Sequence, residues 1–233
     1  MHPVTVSPRF REAAIVRRGR ARLYPDRELD PARMALVVID MQNAFCHPDG
    51  VFFIPLTHGI VPNVNRLGVA CRAAGVAVVW VRHQNRADGS DWPAMFRYQL
   101  DAEHRARVLG DLGEGRPGTA LWRELDVQPG DLHVTKRRQS ALIRGSSALE
   151  AVLHAAGRDT LVVTGTRTNS CCEGTARDAV MLDFKVLFVE DATATRTDEE
   201  HQAALNNVVQ FAGDVVTTGE VLAILAGRAG GSM

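Results

Sequence analysis

The chain has 233 residues, 45% of them apolar and 23% charged, with 27 Lys and Arg against 27 Asp and Glu. That length suits one large domain with a full core, and a formal net charge of zero excludes the overall field that recruits nucleic acid or an anionic membrane. No segment supplies the roughly 18 continuous apolar residues of a membrane span, and the first residues carry Pro3, Pro8, Arg9 and Arg11 without an apolar export segment, so a cytoplasmic protein with a small neutral or zwitterionic ligand is expected.

Residues 1–33 mix Arg, Pro and Asp without sustained periodicity and are expected to form an extended N-terminal arm lying on a surface or on a neighbouring subunit. Six short runs rich in Val, Ile and Leu follow: Ala35 to Asp40, Val76 to His83, Asp131 to Lys136, Thr160 to Gly165, Lys185 to Glu190 and Asp214 to Thr217. Most are apolar at both parities, as strands covered on both faces are, which predicts a parallel sheet. Between them, Ile60 to Ala74, Ser146 to Ala156, Cys171 to Leu182 and Glu199 to Phe211 carry helical apolar stripes, three of them followed by a glycine stop at Gly75, Gly157 and Gly213. The expected fold is a three-layer α/β/α sandwich over residues 34–226, Rossmann-like, with a six-stranded parallel sheet. Residues 84–130 interrupt the alternation with turn-rich sequence such as Asp88-Gly89-Ser90-Asp91 and Arg116-Pro117-Gly118, and are expected to serve as a lid or pocket wall. Residues 227–233 are expected to be a flexible tail.

Three apolar runs lead to reactive side chains: Asp40, Lys136 and, after a short loop, Cys171. In parallel sheets ligands bind beyond the carboxyl ends of the strands, where all three fall. Singly, each has an ordinary reading: Asp40 could cap a helix, Lys136 could leave the sheet for solvent, and Cys171 could be a small buried apolar residue. Together they supply what acyl transfer by a cysteine needs, because a thiol near pKa 8.5 must lose its proton to attack. A position at a helix start and the ammonium of Lys136 would both favour the thiolate, which is expected to form at neutral pH. The four cysteines, Cys46, Cys71, Cys171 and Cys172, have neither disulfide density nor zinc-site spacing and read as reduced thiols.

Val38-Ile39-Asp40-Met41-Gln42-Asn43, Gly130-Asp131 with Lys136, and the block Gly165-Thr166-Arg167-Thr168-Asn169-Ser170-Cys171-Cys172-Glu173-Gly174-Thr175-Ala176-Arg177-Asp178-Ala179 resemble the isochorismatase-like cysteine hydrolases over residues 33–225. The long cysteine block carries most of the specificity. Within the family the chain is most similar to the ureidoacrylate amidohydrolase-like branch, through the double cysteine, Arg177-Asp178 and Thr197-Asp198-Glu199-Glu200-His201. The resemblance implies an Asp40-Lys136-Cys171 catalytic triad and hydrolysis of amides, ureides and related C–N bonds through a thioester. It also implies an oxyanion hole built from the N–H groups of Arg167 and Cys171, with a cis peptide at Thr166-Arg167, and a homodimer or homotetramer. The register selects Cys171 over Cys172 as nucleophile and leaves Cys172, Cys46 and Cys71 as packed thiols.

Relatives often carry Lys-x-Arg-Tyr-Ser-Ala-Phe where this chain has Lys136-Arg137-Arg138-Gln139-Ser140-Ala141-Leu142, so the pocket is expected to differ there. The nicotinamidase members bind a metal through Asp-x-His after the second strand, whereas here the strand ends Val81-Arg82-His83-Gln84-Asn85; no metal and no cofactor is expected. Gln42, Phe45, His83, Trp92 and Gln139 are the candidate substrate-binding residues, with Arg167 a further pocket candidate. His83 is read as a hydrogen-bond donor to substrate or as a satisfied strand-end histidine. Trp80, Trp122 and His133 are read as structural, and His201 as a helix cap or subunit contact. Two alternatives to C–N hydrolysis stand: vinyl ether hydrolysis of the isochorismate type, which would keep Asp40 and Lys136, and a non-catalytic binding module of the same fold.

Overall fold

In a computed structural model that describes residues 1–229, six strands form one sheet: β1 (Met34–Ile39), β2 (Ala77–His83), β3 (Leu132–Lys136), β4 (Thr160–Thr166), β5 (Lys185–Ala194) and β6 (Asp214–Val216). Their order is β3-β2-β1-β4-β5-β6, and every neighbouring pair is parallel. The eight α-helices among the described residues are α1 (Pro8–Arg18), α2 (Asn43–Cys46), α3 (Thr57–Ala73), α4 (Ala102–Leu112), α5 (Leu149–Ala155), α6 (Glu173–Met181), α7 (Asp198–Phe211) and α8 (Thr218–Ala229). This is the parallel α/β architecture the apolar runs predict, with all six strands where the sequence puts them.

Two-sided burial explains why the runs are apolar at both parities. Successive strand residues point to opposite faces, and every residue of β1 is buried. Ala35, Val37 and Ile39 join Val79, Val163 and Phe188 in one core, closed by Leu153 of α5, Ala176 of α6 and Leu205 of α7. Met34, Leu36 and Val38 join Trp80, Val162 and Leu187 in the other, closed by Val64 and Leu67 of α3 and Val221 of α8. Each fully buried aliphatic side chain stabilises the fold by about 1.5–3 kcal/mol. A third, smaller core lies beside the sheet, where Met95, Phe96, Val108 and Leu112 of the 84–130 segment pack on Phe45 of α2.

Four expectations change. The first 33 residues are not extended throughout: α1 starts with Pro8 in its first turn and closes on Gly19, whose N–H donates to the Ile15 carbonyl at 2.8 Å. This helix packs on α7, burying Ala14 against it with Phe10 partly covered, too narrow a stripe to register as a periodic pattern. The segment expected as a helix from Cys171 begins instead with a five-residue π-type turn, Thr168–Cys172, and α6 proper starts at Glu173. The helix expected from Ser146 begins at Leu149. Finally, α8 runs to Ala229, so the first part of the expected tail is helical, while residues 230–233 lie outside the described residues.

The strand order reverses between β1 and β4, which is where a parallel sheet opens a crevice at its carboxyl end. Among the described residues no helix is long and apolar enough to cross a membrane.

Candidate active site

At the carboxyl end of β1, Asp40 adopts a left-handed backbone with φ of 53°, a conformation that Asp tolerates better than most residues. Its N–H donates to the Val81 carbonyl at 2.9 Å and its carbonyl accepts from Gln42 N–H at 2.8 Å, pinning the bend. On the neighbouring strand Gly165 has φ of 107°, and a Cβ there would meet the Ile39 carbonyl oxygen at 2.1 Å. Only glycine lets β4 lie this close to β1 just before the cysteine turn. The Thr166–Arg167 peptide that follows is cis. Cys172 N–H then donates to the Arg167 carbonyl at 3.1 Å, the long-span bond of the π-type turn. Side chains brace this turn: Thr175 Oγ1 donates to the Cys171 carbonyl at 2.7 Å, Thr168 Oγ1 lies 2.9 Å from His201 Nδ1, and Thr195 Oγ1 donates to Asn169 Oδ1 at 2.7 Å.

These elements bring Asp40, Lys136 and Cys171 together. Lys136, on the edge strand β3, is fully buried, and its Nζ lies 2.9 Å from Asp40 Oδ2 and 3.5 Å from Cys171 Sγ. The same nitrogen donates to the Arg138 carbonyl at 2.9 Å and stands 3.3 Å from His83 Nδ1. Four partners around one ammonium offset the cost of taking it out of water. Burial raises the pKa of Asp40, opposed by the Lys136 charge and the Cys171 thiol. Burial works against the charge on Lys136, but the charges of Asp40 and Cys171 win and lift its pKa. The Cys171 thiol is pushed up to about 11, first by burial and then by Asp40, with Lys136 only partly opposing. The resting thiol is therefore protonated at neutral pH, contrary to the expectation that Lys136 and a helix start would make the thiolate accessible. Two features account for the difference: the thiol is almost wholly buried, and the turn preceding α6 replaces the α-helical start.

Above this cluster lies a cavity of about 190 Å³ lined by Asp40, Cys171, Phe45, His83, Trp92, Gln139 and the Arg167 side chain, together with Phe52, Met95, Gln99, Leu100 and Ser170. Of the sequence-predicted residues, Phe45, His83, Trp92 and Gln139 reach it. Gln42 does not. Its buried amide donates to the carbonyls of His83 at 2.9 Å and Thr119 at 3.1 Å and accepts from His83 N–H at 2.6 Å, so it clamps the end of β2 to the 84–130 segment. His83 lines the cavity with both nitrogens engaged: Nε2 is 3.1 Å from Asn85 Oδ1, and Nδ1 faces Lys136. Burial and the Lys136 charge push its pKa down to about 3, so the ring is neutral, and its partners assign Nε2 as donor and Nδ1 as acceptor. No N–H remains for a substrate, which corrects the donor reading. Asn85 in turn donates to Asp91 Oδ2 at 3.1 Å, and the Arg138 guanidinium donates to the Asp91 carbonyl and lies 5.8 Å from the Trp92 ring centre. The turn-rich segment is thus tied to the lysine by two routes.

Sequence reasoning missed Phe52, Met95, Gln99, Leu100 and Ser170, because a wall made of irregular backbone has no period to read. His201 neither caps α7, a role Thr197 fills, nor lies at the surface; it is buried under Thr168. Cys172, Cys46 and Cys71 are buried, with burial pushing Cys46 and Cys71 to about 12 and Cys172 well above the usual thiol range. Among the described residues no group of three or more His, Cys, Asp or Glu is placed to hold a metal ion.

A thiol, an ammonium and a carboxylate converge under a small cavity at the switch point of a parallel sheet, where α/β proteins bind small molecules. Residues 34–220 match the isochorismatase domain family, and the chain belongs to that family. It is 33% identical over 212 residues to the ureidoacrylate amidohydrolase RutB of Agrobacterium fabrum, covering 85% of this chain and 92% of that protein. A crystal structure of a cysteine hydrolase from Pseudomonas syringae superposes with a TM-score of 0.79 at 32% identity, covering 88% of this chain and 97% of the other. N-carbamoylsarcosine amidase from Thermoplasma acidophilum is also similar, with a TM-score of 0.64 and 26% identity over 80% of this chain and 96% of its own.

Proposed function

We propose that this protein is a cysteine-dependent amidohydrolase that cleaves a C–N bond of a small linear amide, ureido or carbamoyl compound and releases ammonia or an amine. The observation that carries the reading is Lys136 Nζ at 2.9 Å from Asp40 Oδ2 and 3.5 Å from Cys171 Sγ beneath the cavity. The names of the amidohydrolase and the amidase to which the chain is similar agree with it.

Because the resting thiol is protonated, attack and proton removal are coupled. Cys171 Sγ bonds to the substrate carbonyl carbon as Asp40 takes the thiol proton, and Lys136 holds the charges of both groups. The carbonyl oxygen gains negative charge, for which the N–H groups of Arg167 and Cys171 are the donors; loss of one such donor typically costs about 100- to 1000-fold in rate. The C–N bond then breaks while Asp40 returns the proton to the departing nitrogen, leaving a thioester. Water attacks the thioester, Asp40 accepts its proton, and the acid leaves as the thiol reforms. A carboxylate with a raised pKa suits the proton-accepting half of this duty, since it is a stronger base than the same group in water.

The test is release of ammonia or amine from a panel of ureido acids, carbamoyl compounds and primary amides, with Cys171→Ala beside the unaltered protein. Turnover that vanishes in the variant is expected. Release of ammonia or amine that survives the substitution, or the absence of both across the panel, would overturn the proposal; pyruvate release from a vinyl ether in the Cys171→Ala protein would replace it with the vinyl ether reading.

A further inference from the structure

We infer that the guanidinium of Arg167 is an anion subsite that selects substrates bearing a carboxylate close to the scissile carbonyl. The inference rests on the amidohydrolase reading and narrows it to short acids. Among the described residues Arg167 is the only Arg or Lys lining the cavity, which it shares with Asp40 and Cys171. Its Cζ lies 5.2 Å from the centre of the Phe52 ring, so the guanidinium rests on an aromatic face of the cavity wall, which leaves its N–H groups open to an anion. Among the described residues its side chain makes no ion pair and no hydrogen bond. The carboxylates that attract it form no ion pair with it: Asp40 is paired with Lys136 at 2.9 Å, and Glu200 acts only through its field. Arg196 adds a second positive charge to the field. A half-buried, unpaired guanidinium is costly unless a partner arrives, and its fork matches a carboxylate in two-point fashion.

The rest of the wall is mainly apolar, from Phe45, Phe52, Trp92, Met95 and Leu100, and suits a short carbon body. One arginine side chain spans the distance from its own backbone to the anion. Since that backbone borders the site of carbonyl attack, the carboxylate and the scissile carbonyl belong to the same small molecule, a few bonds apart. A chain neutral overall would thus hold one arginine head for an anion, where composition alone suggests a neutral or zwitterionic ligand.

Two measurements test this on the full chain. The first compares kcat/KM for a short ureido acid with that for the same ureide carrying a hydroxymethyl group in place of the carboxylate. The second compares alkylation of Cys171 by iodoacetate and by iodoacetamide, read on the Cys171 peptide by mass spectrometry, and needs no turnover. In Arg167→Gln both the acid preference and the iodoacetate-to-iodoacetamide ratio are expected to fall about 10- to 100-fold, and Arg167→Lys is expected to retain part of each. Arg167→Met, which keeps an apolar stem against Phe52, repeats the comparison should Arg167→Gln fail to fold. An alkylation ratio unchanged in the uncharged variants overturns the subsite, even where ammonia is released. A ratio that falls while no amide is turned over upholds the subsite and sinks the amidohydrolase reading instead.

Discussion

Lys136 and Asp40 are both inaccessible to solvent, yet they face one another at 2.9 Å with Cys171 as a third member. A buried pair of this kind contributes little net stability, because desolvation takes back most of the attraction, but removing one partner strands the other as an unpaired buried charge. Asp40→Asn or Lys136→Met alone is therefore expected to destabilise the protein by about 3–5 kcal/mol. The double variant Asp40→Asn/Lys136→Met is expected to cost far less than the two singles combined, since no charge is left stranded. Urea unfolding of the four proteins reads this directly, and single costs that simply add would mean the two groups do not share a charge. Both singles and the double are expected to lose amide turnover, so stability recovers in the double variant while function does not. The raised thiol pKa belongs to the same scale: burial and the neighbouring Asp40 keep Cys171 in its protonated, weakly nucleophilic form.

Elements, more than individual side chains, decide what a sequence reveals. The six strands are legible because both faces of each must be apolar, and the three reactive groups are legible because they end or follow those runs. Asp40, Lys136 and Cys171 could be named together for that reason. The helix Pro8–Arg18 was not legible, since Ala14 is its one fully buried residue. The pocket wall was legible only as turn-rich sequence: Trp92 could be picked out, but Met95, Gln99 and Leu100 gain their places from a π-type turn that no spacing announces. Gln42 shows the opposite failure. Its place two residues after Asp40 suggests a substrate contact, but its amide is consumed in joining the end of β2 to the carbonyls of residues 118 and 119. Gln42→Ala would leave the His83 N–H and these carbonyls without their partner, so a loss of about 1–3 kcal/mol in stability is expected, measured as a shift of the urea midpoint. If stability were unchanged while KM alone rose, Gln42 would be a substrate ligand after all.

Taken as a whole, the molecule wraps its first residues around the support of the cysteine turn. His2 Nδ1 lies 2.7 Å from Asp198 Oδ1 and its Nε2 accepts from Thr195 N–H at 3.1 Å. Its ring stacks on His201 at 4.1 Å, and His201 in turn holds Thr168 at 2.9 Å. A chain neutral in sum has thus buried a pair of stacked imidazoles behind its reactive turn, and the arrangement makes stability depend on acidity. Burial, followed by the neighbouring His2, pushes His201 down to about 3, and His83 is likewise held at about 3. An unfolded histidine takes up its proton near pH 6.5, so between pH 6.5 and 3 the unfolded chain binds protons that the folded one refuses. Stability from each of these rings is complete above pH 6.5 and is lost as the pH falls. Integrated from pH 7 to pH 5, each costs about 2 kcal/mol. Asp40, whose pKa is raised, acts in the opposite sense, so the contribution of one ring is best read by difference. His201→Gln is expected to shrink the loss of stability between pH 7 and pH 5 by about 2 kcal/mol, whatever it does to stability at pH 7. Urea unfolding at the two pH values, with both proteins, makes the comparison. An equal loss in both would mean that His201 accepts its proton without unfolding, and that the stack behind the cysteine turn tolerates a charge.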